Sequence, residues 1–206
     1  FSHWLNLPGN EAGRWVSYWA GLHDIGKASP AFQRKHPGLK TALEQRGLKF
    51  GRLTGELPHG VATARALRNL LTEAGSGQLT DELADAIART IGGHHGRFPN
   101  SIDLLKIPPR AYGNDEQWQN IRRRMVLEFG NLLGLNSWRR VECQTPPPAF
   151  FVALAGITCV ADWIGSNEQF FPYEGSLEDP KRYLYTSSQR ARRAITDLGW
   201  TAARLK

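Results

Sequence analysis

A histidine and an aspartate stand side by side at His23 and Asp24 in the stretch GLHDIGKASPAF, residues 21–32, and Lys27 follows three residues later. Further histidines lie beside glycine in LPHG and GGHHG, and an acid interrupts the apolar stretch ADWIG. Together these motifs offer four imidazoles, two carboxylates and no thiolate: His23, Asp24, His59, His94, His95 and Asp162. Such a set of nitrogen and oxygen donors suits first-row divalent metals. A carboxylate can bridge two ions, and two ions about 3.5–4 Å apart can clamp the attacking and leaving oxygens of a phosphodiester. The residues therefore indicate metal-assisted hydrolysis.

Each of these residues also has a plainer interpretation. A single buried histidine such as His23 is more often a satisfied core residue than a ligand. Two adjacent imidazoles in GGHHG also suit a solvated loop. An acid in an apolar setting, such as Asp24 or Asp162, is costly unless it is paired or bound to a metal. No lysine or arginine occurs in residues 149–169 to pair with Asp162 in sequence. One shared metal centre explains these anomalies together.

The elements that must position these residues are predicted to be helices. Helical periodicity dominates and strand signals are few, so we predict an all-α helical bundle with loop excursions and few or no strands. Val16, Trp19, Ala20 and His23 share one face of a helix over 11–25. We predict further helices at 30–35, at 60–74, from a cap at Asp81 to Gly92, around 118–132, over 149–165 as a buried helix, and from 187. Residues 96–114 are predicted to be loop, and residues 38–58 a partly helical, mobile excursion.

Composition limits the class of protein. The 206 residues fit one compact domain, and the net charge of +7 is consistent with a polyanionic partner. Cys143 and Cys159 form no CxxC pair, which argues against a zinc ribbon or a disulfide scaffold and suits the reducing cytoplasm. No signal peptide is visible, and residues 149–165 are too short to span a bilayer, so we expect no membrane association. The chain begins with Phe1, and we expect upstream residues to be missing.

The motifs in their order resemble the HD phosphohydrolase superfamily. The phrases GLHDIGKASPAFQ and CVADWIGSNEQFFPY are similar to one branch, the HD nuclease domain of the CRISPR-associated helicase–nuclease of type I systems. The resemblance runs from about Trp15 to Tyr173. It implies a single HD nuclease domain over residues 1–206 that cuts single-stranded DNA and holds two divalent transition metal ions, often iron, with manganese, cobalt or nickel able to act in its place. It implies as partners a superfamily 2 helicase domain or subunit and a guide-RNA surveillance complex.

The resemblance also implies roles for the site residues. Asp24 would bridge the two metals; one ion would take His23 and Asp162, and the other His59, His94 and His95. Lys27 would meet the scissile phosphate, and Ser166 would support the substrate or the metal shell. The family has a further histidine ligand on an earlier helix. We expect that ligand in the missing N-terminal segment and not at His3, which lies beside the loop signature LPGN. The truncated chain would then bind its first metal poorly and show weakened or no nuclease activity.

The basic surface is predicted to contact the phosphate backbone of the DNA, with Arg97 nearest to the motifs. Further candidates are Arg110, the run Arg122–Arg124, Arg139, Arg140, Arg190, Arg192 and Arg193. For each arginine a solvated helix face is the plainer interpretation, and together they favour nonspecific, salt-sensitive binding. Exposed aromatics such as Phe98, Tyr112 or Tyr173 can stack on unpaired bases. No feature indicates the reading of base edges, so we expect cutting without sequence preference.

Two alternatives remain open at this stage. The chain can be an HD nucleotide phosphohydrolase that acts on dNTPs or signalling nucleotides, or a noncatalytic docking module that keeps a metal site for structure. No GxxxxGK[ST] phosphate loop occurs in the sequence. The helicase is therefore either a separate subunit or a part of a longer protein of which this chain is a fragment.

Overall fold

The computed structural model describes residues 1–52, 56–74, 79–135, 141, 145–173 and 179–200. These residues form eleven α-helices, one short 3-10 turn and no strand, which confirms the all-α prediction. The helices are α1 Ser2–Leu5, α2 Gly9–Gly21, α3 Pro30–Gln33, α4 Pro37–Gln45, α5 His59–Ala74, α6 Asp81–Gly92, α7 Ser101–Leu105, α8 Pro109–Tyr112, α9 Glu116–Leu133, α10 Pro148–Gly165 and α11 Pro180–Asp197. The 3-10 turn is Ile25–Lys27.

The chain divides into two compact units, residues 1–158 and residues 159–206, and the boundary falls within α10. The first unit has a core built around buried aromatic residues of α2, with Trp15 and Trp19 fully buried. In the second unit the rings of Trp163 and Trp200 lie 6.1 Å apart. The prediction of a single domain over residues 1–206 stays a prediction.

Helices α5 and α6 approach each other closely because both carry glycine at the crossing. A β-carbon on Gly60 would lie 2.2 Å from the carbonyl oxygen of Gly92, and one on Gly92 would lie 2.6 Å from that of Gly60. Any larger residue at either position would therefore push the helices apart. The contact brings the first turn of α5, which begins at His59, against the end of α6, which precedes His94. Both helices agree with the predicted boundaries to within a residue or so.

Several local predictions were wrong. Residues 96–114 contain two short helices, α7 and α8, and α7 has a capping box between Asn100 and Asp103 that the sequence analysis missed. The cap of α6 is Thr80, whose hydroxyl accepts from the Leu83 N–H. Asp81 lies in the first turn instead, where a carboxylate is favourable to the helix dipole. Helix α11 begins at Pro180 and not near residue 187.

The prediction of a fully buried helix at residues 149–165 was also wrong. Helix α10 forms there, but Val152 is 72% exposed and Trp163 is 54% exposed. Only a stripe at four-residue spacing is fully buried, namely Phe150, Leu154 and Thr158. By length and composition alone the helix is long and apolar enough to cross a membrane, so the prediction that residues 149–165 are too short to do so was wrong. A single such helix is weak evidence, since core helices pass the same test, and the absence of membrane association stays a prediction.

Arg122 was predicted to face solvent in part, but it is only 1% exposed. Its guanidinium donates to the carbonyl oxygens of Ala28 at 2.9 Å, Tyr112 at 3.0 Å and Gly113 at 2.7 Å. It also stacks 4.0 Å from the centre of the Tyr112 ring, and burial lowers its pKa. Trp118, Arg122 and Val126 share one buried face of α9 at four-residue spacing. Arg122 therefore ties α9 to the segment that follows the 3-10 turn.

Replacing Arg122 by methionine is expected to lower the free energy of unfolding by about 3 kcal/mol, because three buried carbonyls lose their donor. Chemical denaturation of the purified variant measures this change. Arg124→Met is the matched control on the same helix, since Arg124 is 76% exposed and pairs with Glu128 one turn away. We expect almost no change for that control. Equal stability of the two variants would refute the bracing role of Arg122.

Candidate metal centre

Five of the six predicted metal ligands lie at helix ends in the first unit. His23 and Asp24 lie in the turn between the end of α2 at Gly21 and the 3-10 turn. His59 opens α5, and His94 and His95 follow the end of α6 at Gly92. The close crossing of α5 and α6 places these segments side by side.

The imidazoles form one cluster. Nε2 of His59 lies 3.2 Å from Nε2 of His94 and 3.0 Å from Nε2 of His95. The rings of His23 and His94 have their centres 4.8 Å apart. The potential ligand atoms fall into two sets, each within 4.8 Å: His59, His94 and His95 in one, and His23, Asp24 and His94 in the other. His94 belongs to both sets, so the two sets form one centre.

Hydrogen bonds to the backbone fix the tautomers of two of these rings. Nδ1–H of His23 donates to the carbonyl oxygen of Ala20 at 2.8 Å, and Nδ1–H of His94 donates to that of Ile91 at 2.7 Å. A carbonyl can only accept, so in the neutral ring Nε2 carries the lone pair. Burial, together with the nearby His23, His95 and His59, lowers the pKa of His94 and outweighs its bond to Ile91. The neutral form that binds metals is thus favoured for His94.

Asp24 is the carboxylate at the middle of this cluster. Its Oδ2 lies 2.5 Å from Nζ of Lys27 and 3.5 Å from Nε2 of His23, while Oδ1 lies 3.2 Å from Nε2 of His59. Burial raises the pKa of Asp24, but the attraction of His59, Lys27 and His23 outweighs that effect and holds the pKa well below its usual range. Asp24 is therefore an anion at neutral pH.

The donors fit a divalent cation. Oδ1 of Asp24 is buried and makes no hydrogen bond of good geometry within the described part of the chain. Neutral imidazoles whose Nε2 atoms approach to 3.0–3.2 Å repel each other through their lone pairs unless a proton or a cation lies between them. A buried carboxylate oxygen and converging imidazole nitrogens are ligands that suit first-row divalent metals.

Asp162 and Ser166 belong to the second unit. Asp162 lies in α10, and its Oδ1 accepts a hydrogen bond from the hydroxyl of Ser166 at 3.1 Å. The two residues are thus one turn apart and in contact, as their spacing suggested. Their assignment to the metal centre stays a prediction. His3, which was expected not to be a ligand, lies exposed in α1 and belongs to neither ligand set. The histidine ligand expected upstream of Phe1 stays a prediction.

The predicted DNA-binding arginines differ in their surroundings. Arg97 is exposed, follows the histidine pair by two residues and pairs with Asp103 at 2.8 Å. Arg123 pairs with Glu73, and Arg193 with Asp197. Arg190 and Arg193 line a groove in the second unit, while Arg139 and Arg140 lie outside the described residues. Arg122 is excluded as a surface contact by its burial, and Tyr112 is excluded as a stacking residue because it is buried.

The residues that hold the candidate ligands in place were not predicted from the sequence. The Thr63 hydroxyl contacts the backbone of His23 and Gly26, and the Gln33 amide donates to the carbonyl oxygen of Lys27 at 2.9 Å. The ring of Phe32 meets that of His59 edge-on, with centres 5.7 Å apart. The position of Thr63, four residues after His59 on a helix, was the available signal because it places both side chains on one face.

The family and the curated relatives that match this chain all carry the name Cas3. The family described as "Cas3, HD domain" matches residues 1–171. The CRISPR-associated endonuclease/helicase Cas3 of Thermus thermophilus is 32% identical over 95% of this chain, which spans 21% of that protein. The CRISPR-associated nuclease/helicase Cas3 of Streptococcus thermophilus is 30% identical over 79% of this chain, which spans 19% of that protein.

Solved structures show the same fold. A crystal structure titled as a CRISPR-associated protein superimposes with a TM-score of 0.88 at 33% identity over 98% of this chain and 23% of its own. T. fusca Cas3 bound to AMPPNP superimposes with a TM-score of 0.72 at 22% identity over 94% of this chain and 22% of its own, which supports the fold alone. The chain belongs to the Cas3 HD domain family.

Proposed function

We propose that this chain is a metal-dependent nuclease domain that hydrolyses phosphodiester bonds in single-stranded DNA during type I CRISPR interference, without sequence preference. The observation that carries the proposal is the pair of candidate ligand sets joined at His94, with the Asp24 carboxylate beside His23, His59 and His94. The family membership and the names of the two Cas3 relatives support the same activity.

The metal centre is proposed to hold two divalent ions, with iron as the native metal and manganese, cobalt or nickel as substitutes. His23, Asp24 and Asp162 would hold one ion, and His59, His94 and His95 the other, with Asp24 between them. The two overlapping sets support two ions, and the nitrogen-rich ligands favour transition metals over magnesium. When bound, such ions polarise a phosphoryl oxygen and lower the pKa of a bound water.

The residues of the chain itself supply charge and orientation. Lys27 places an ammonium beside Asp24 at the centre, where it can contact the phosphate that is being cut. The Asp24 carboxylate orients Lys27 in the free protein. Arg97 and Ser166 are proposed to contact the DNA backbone. The hydrogen bond from the Ser166 hydroxyl to Asp162 would orient that hydroxyl.

The partners are proposed from the relatives. Both curated relatives are named as helicases as well as nucleases, and this chain spans about a fifth of each. We therefore propose that a superfamily 2 helicase, fused or separate, feeds single-stranded DNA to the centre, and that a guide-RNA surveillance complex in the cytoplasm selects the target. One structural neighbour at 23% identity is titled as a CRISPR RNA-guided surveillance complex before nicking.

Metal binding is expected to depend on His94, which is a proposed ligand of one ion together with His59 and His95. Calorimetric titration of the metal-free protein with Mn²⁺, checked by elemental analysis, should show two equivalents for the wild type and, for His94→Ala, a loss of affinity at the ion that His59 and His95 share. His3→Ala serves as the control, since His3 is exposed and outside both sets. Unchanged metal content in His94→Ala would rule out the shared centre.

Hydrolysis of circular single-stranded DNA with Mn²⁺, Co²⁺ or Ni²⁺ is expected to fall about a hundredfold or more in Asp24→Asn and to stop when a chelator removes the metal. The substitution keeps the shape of the side chain and removes its charge. Asp81→Asn, at an exposed acid in the first turn of α6, is the control and should cut normally. Preferential hydrolysis of dNTPs by the wild type would favour a nucleotide phosphohydrolase instead.

Lys27→Gln is expected to reduce DNA hydrolysis about tenfold while metal binding is retained, because it removes a charge near the phosphate and no predicted ligand. Steady-state kinetics on a labelled oligonucleotide would measure the loss. Lys40→Gln is a matched control, since Lys40 pairs with Glu44 on the surface of α4. A parallel loss of bound metal in Lys27→Gln would show that Lys27 acts by holding Asp24, and would argue against a direct contact with the substrate.

A further inference from the structure

The turn that carries His23 and Asp24 lies directly on the first turn of α5. A β-carbon on Gly26 would stand 2.1 Å from the carbonyl oxygen of His59 and 2.5 Å from the backbone nitrogen of Thr63. Because Gly26 has no side chain, the backbone of this turn is in direct contact with the backbone of α5. The position of one pair of ligands relative to the other depends on this contact.

A single hydroxyl joins the two segments. Thr63 is fully buried, and its Oγ1 donates to the carbonyl oxygen of His23 at 2.6 Å. The same oxygen accepts from the N–H of Gly26 at 3.0 Å. Only a hydroxyl can donate and accept from one atom at this site, so serine and threonine are the two residue types of suitable size that make both bonds.

We propose that Thr63 is a positioning residue that sets the distance between the two ligand sets of the metal centre. It lies one helical turn after His59, so it fixes the His23–Asp24 turn against the helix that carries a ligand of the other set. It does not touch the substrate or the metal. The proposal rests on the metal centre of the proposed function and adds the residue that couples its two halves.

The two hydrogen bonds of the Thr63 hydroxyl lie on either side of Asp24 in the sequence. The carbonyl of His23 precedes Asp24 and the N–H of Gly26 follows it two residues later, so the carboxylate lies within a loop closed by Thr63. Without the hydroxyl, the loop can shift relative to His59, and Asp24 no longer stands at its present 3.2 Å from that imidazole. Loss of such supporting hydrogen bonds weakens metal binding about 10–100-fold in other proteins.

The test uses three variants of the whole chain. Thr63→Val keeps the shape and removes both hydrogen bonds, whereas Thr63→Ser keeps the hydroxyl and removes the methyl group. Thr158→Val is the matched control, since Thr158 is also fully buried but donates to Leu154 within its own helix. The measurements are calorimetric Mn²⁺ affinity, the absorption spectrum of bound Co²⁺, and chemical denaturation of the metal-free protein.

We expect Thr63→Val to weaken Mn²⁺ binding about 10–100-fold and to change the Co²⁺ spectrum, while Thr63→Ser and Thr158→Val bind nearly as the wild type does. The metal-free Thr63→Val protein should remain folded and unfold cooperatively, although it is less stable than Thr158→Val because two buried backbone groups lose their partner. The positioning role would be overturned if Thr63→Val bound Mn²⁺ as the wild type does, or if Thr63→Val and Thr63→Ser lost affinity equally. It would also be overturned if Thr158→Val lost as much affinity as Thr63→Val.

These measurements separate the positioning role from the proposed function. If the wild type binds Mn²⁺ but does not cut single-stranded DNA, the nuclease proposal fails, and the affinities of the Thr63 variants still decide the role of Thr63. If the wild type binds no divalent metal, the metal centre and the positioning role both fail. If the wild type cuts DNA and Thr63→Val binds metal normally, the positioning role alone fails.

Discussion

The approach of three backbone segments at glycine residues is the constraint on which the metal centre depends. Gly60 and Gly92 let α5 touch the end of α6, and Gly26 lets the His23–Asp24 turn lie on α5. At each place a β-carbon would come within 2.6 Å of a carbonyl oxygen of the neighbouring segment. The ligands are therefore held by packed backbone, which moves less than long side chains do, and this favours a centre formed before the metal binds.

The electrostatics of the centre follow from this packing. Three imidazoles, those of His23, His59 and His94, lie near the Asp24 carboxylate, and Lys27 adds a positive charge 2.5 Å from it. Burial alone would favour a protonated Asp24, but the neighbouring positive groups reverse that preference. Burial has the opposite effect on His94, where it favours loss of the proton. Both residues thus reach the protonation state that a cation needs, although the causes differ.

The sequence was sufficient for the class of fold and for naming five candidate ligands that the structure brings together in the first unit, because helical periodicity and unusual polar residues are both local signals. It was insufficient where partners are distant in sequence. The three carbonyls that hold Arg122 come from Ala28, Tyr112 and Gly113, and nothing local announces them. Helix α10 is apolar on all sides, so its sequence could not show that Val152 is exposed and Phe150 buried. The assignment of Asp162 and Ser166 to the metal centre stays a prediction from the sequence.

The ends of α2 and α6 solve the same chemical problem in the same way. The last carbonyls of a helix lack intrahelical partners, and a histidine shortly beyond the end can reach them with Nδ1–H. His23 bonds to Ala20 and His94 bonds to Ile91, each three residues back. Each bond makes Nε2 the nitrogen that carries the lone pair in the neutral ring and holds the ring at a fixed angle, as the hydrogen-bond partners of metal-binding histidines usually do. The motifs HD and HH are thus more than pairs of ligands: their distance from a helix end selects the tautomer, and the glycine contacts then bring the selected atoms together.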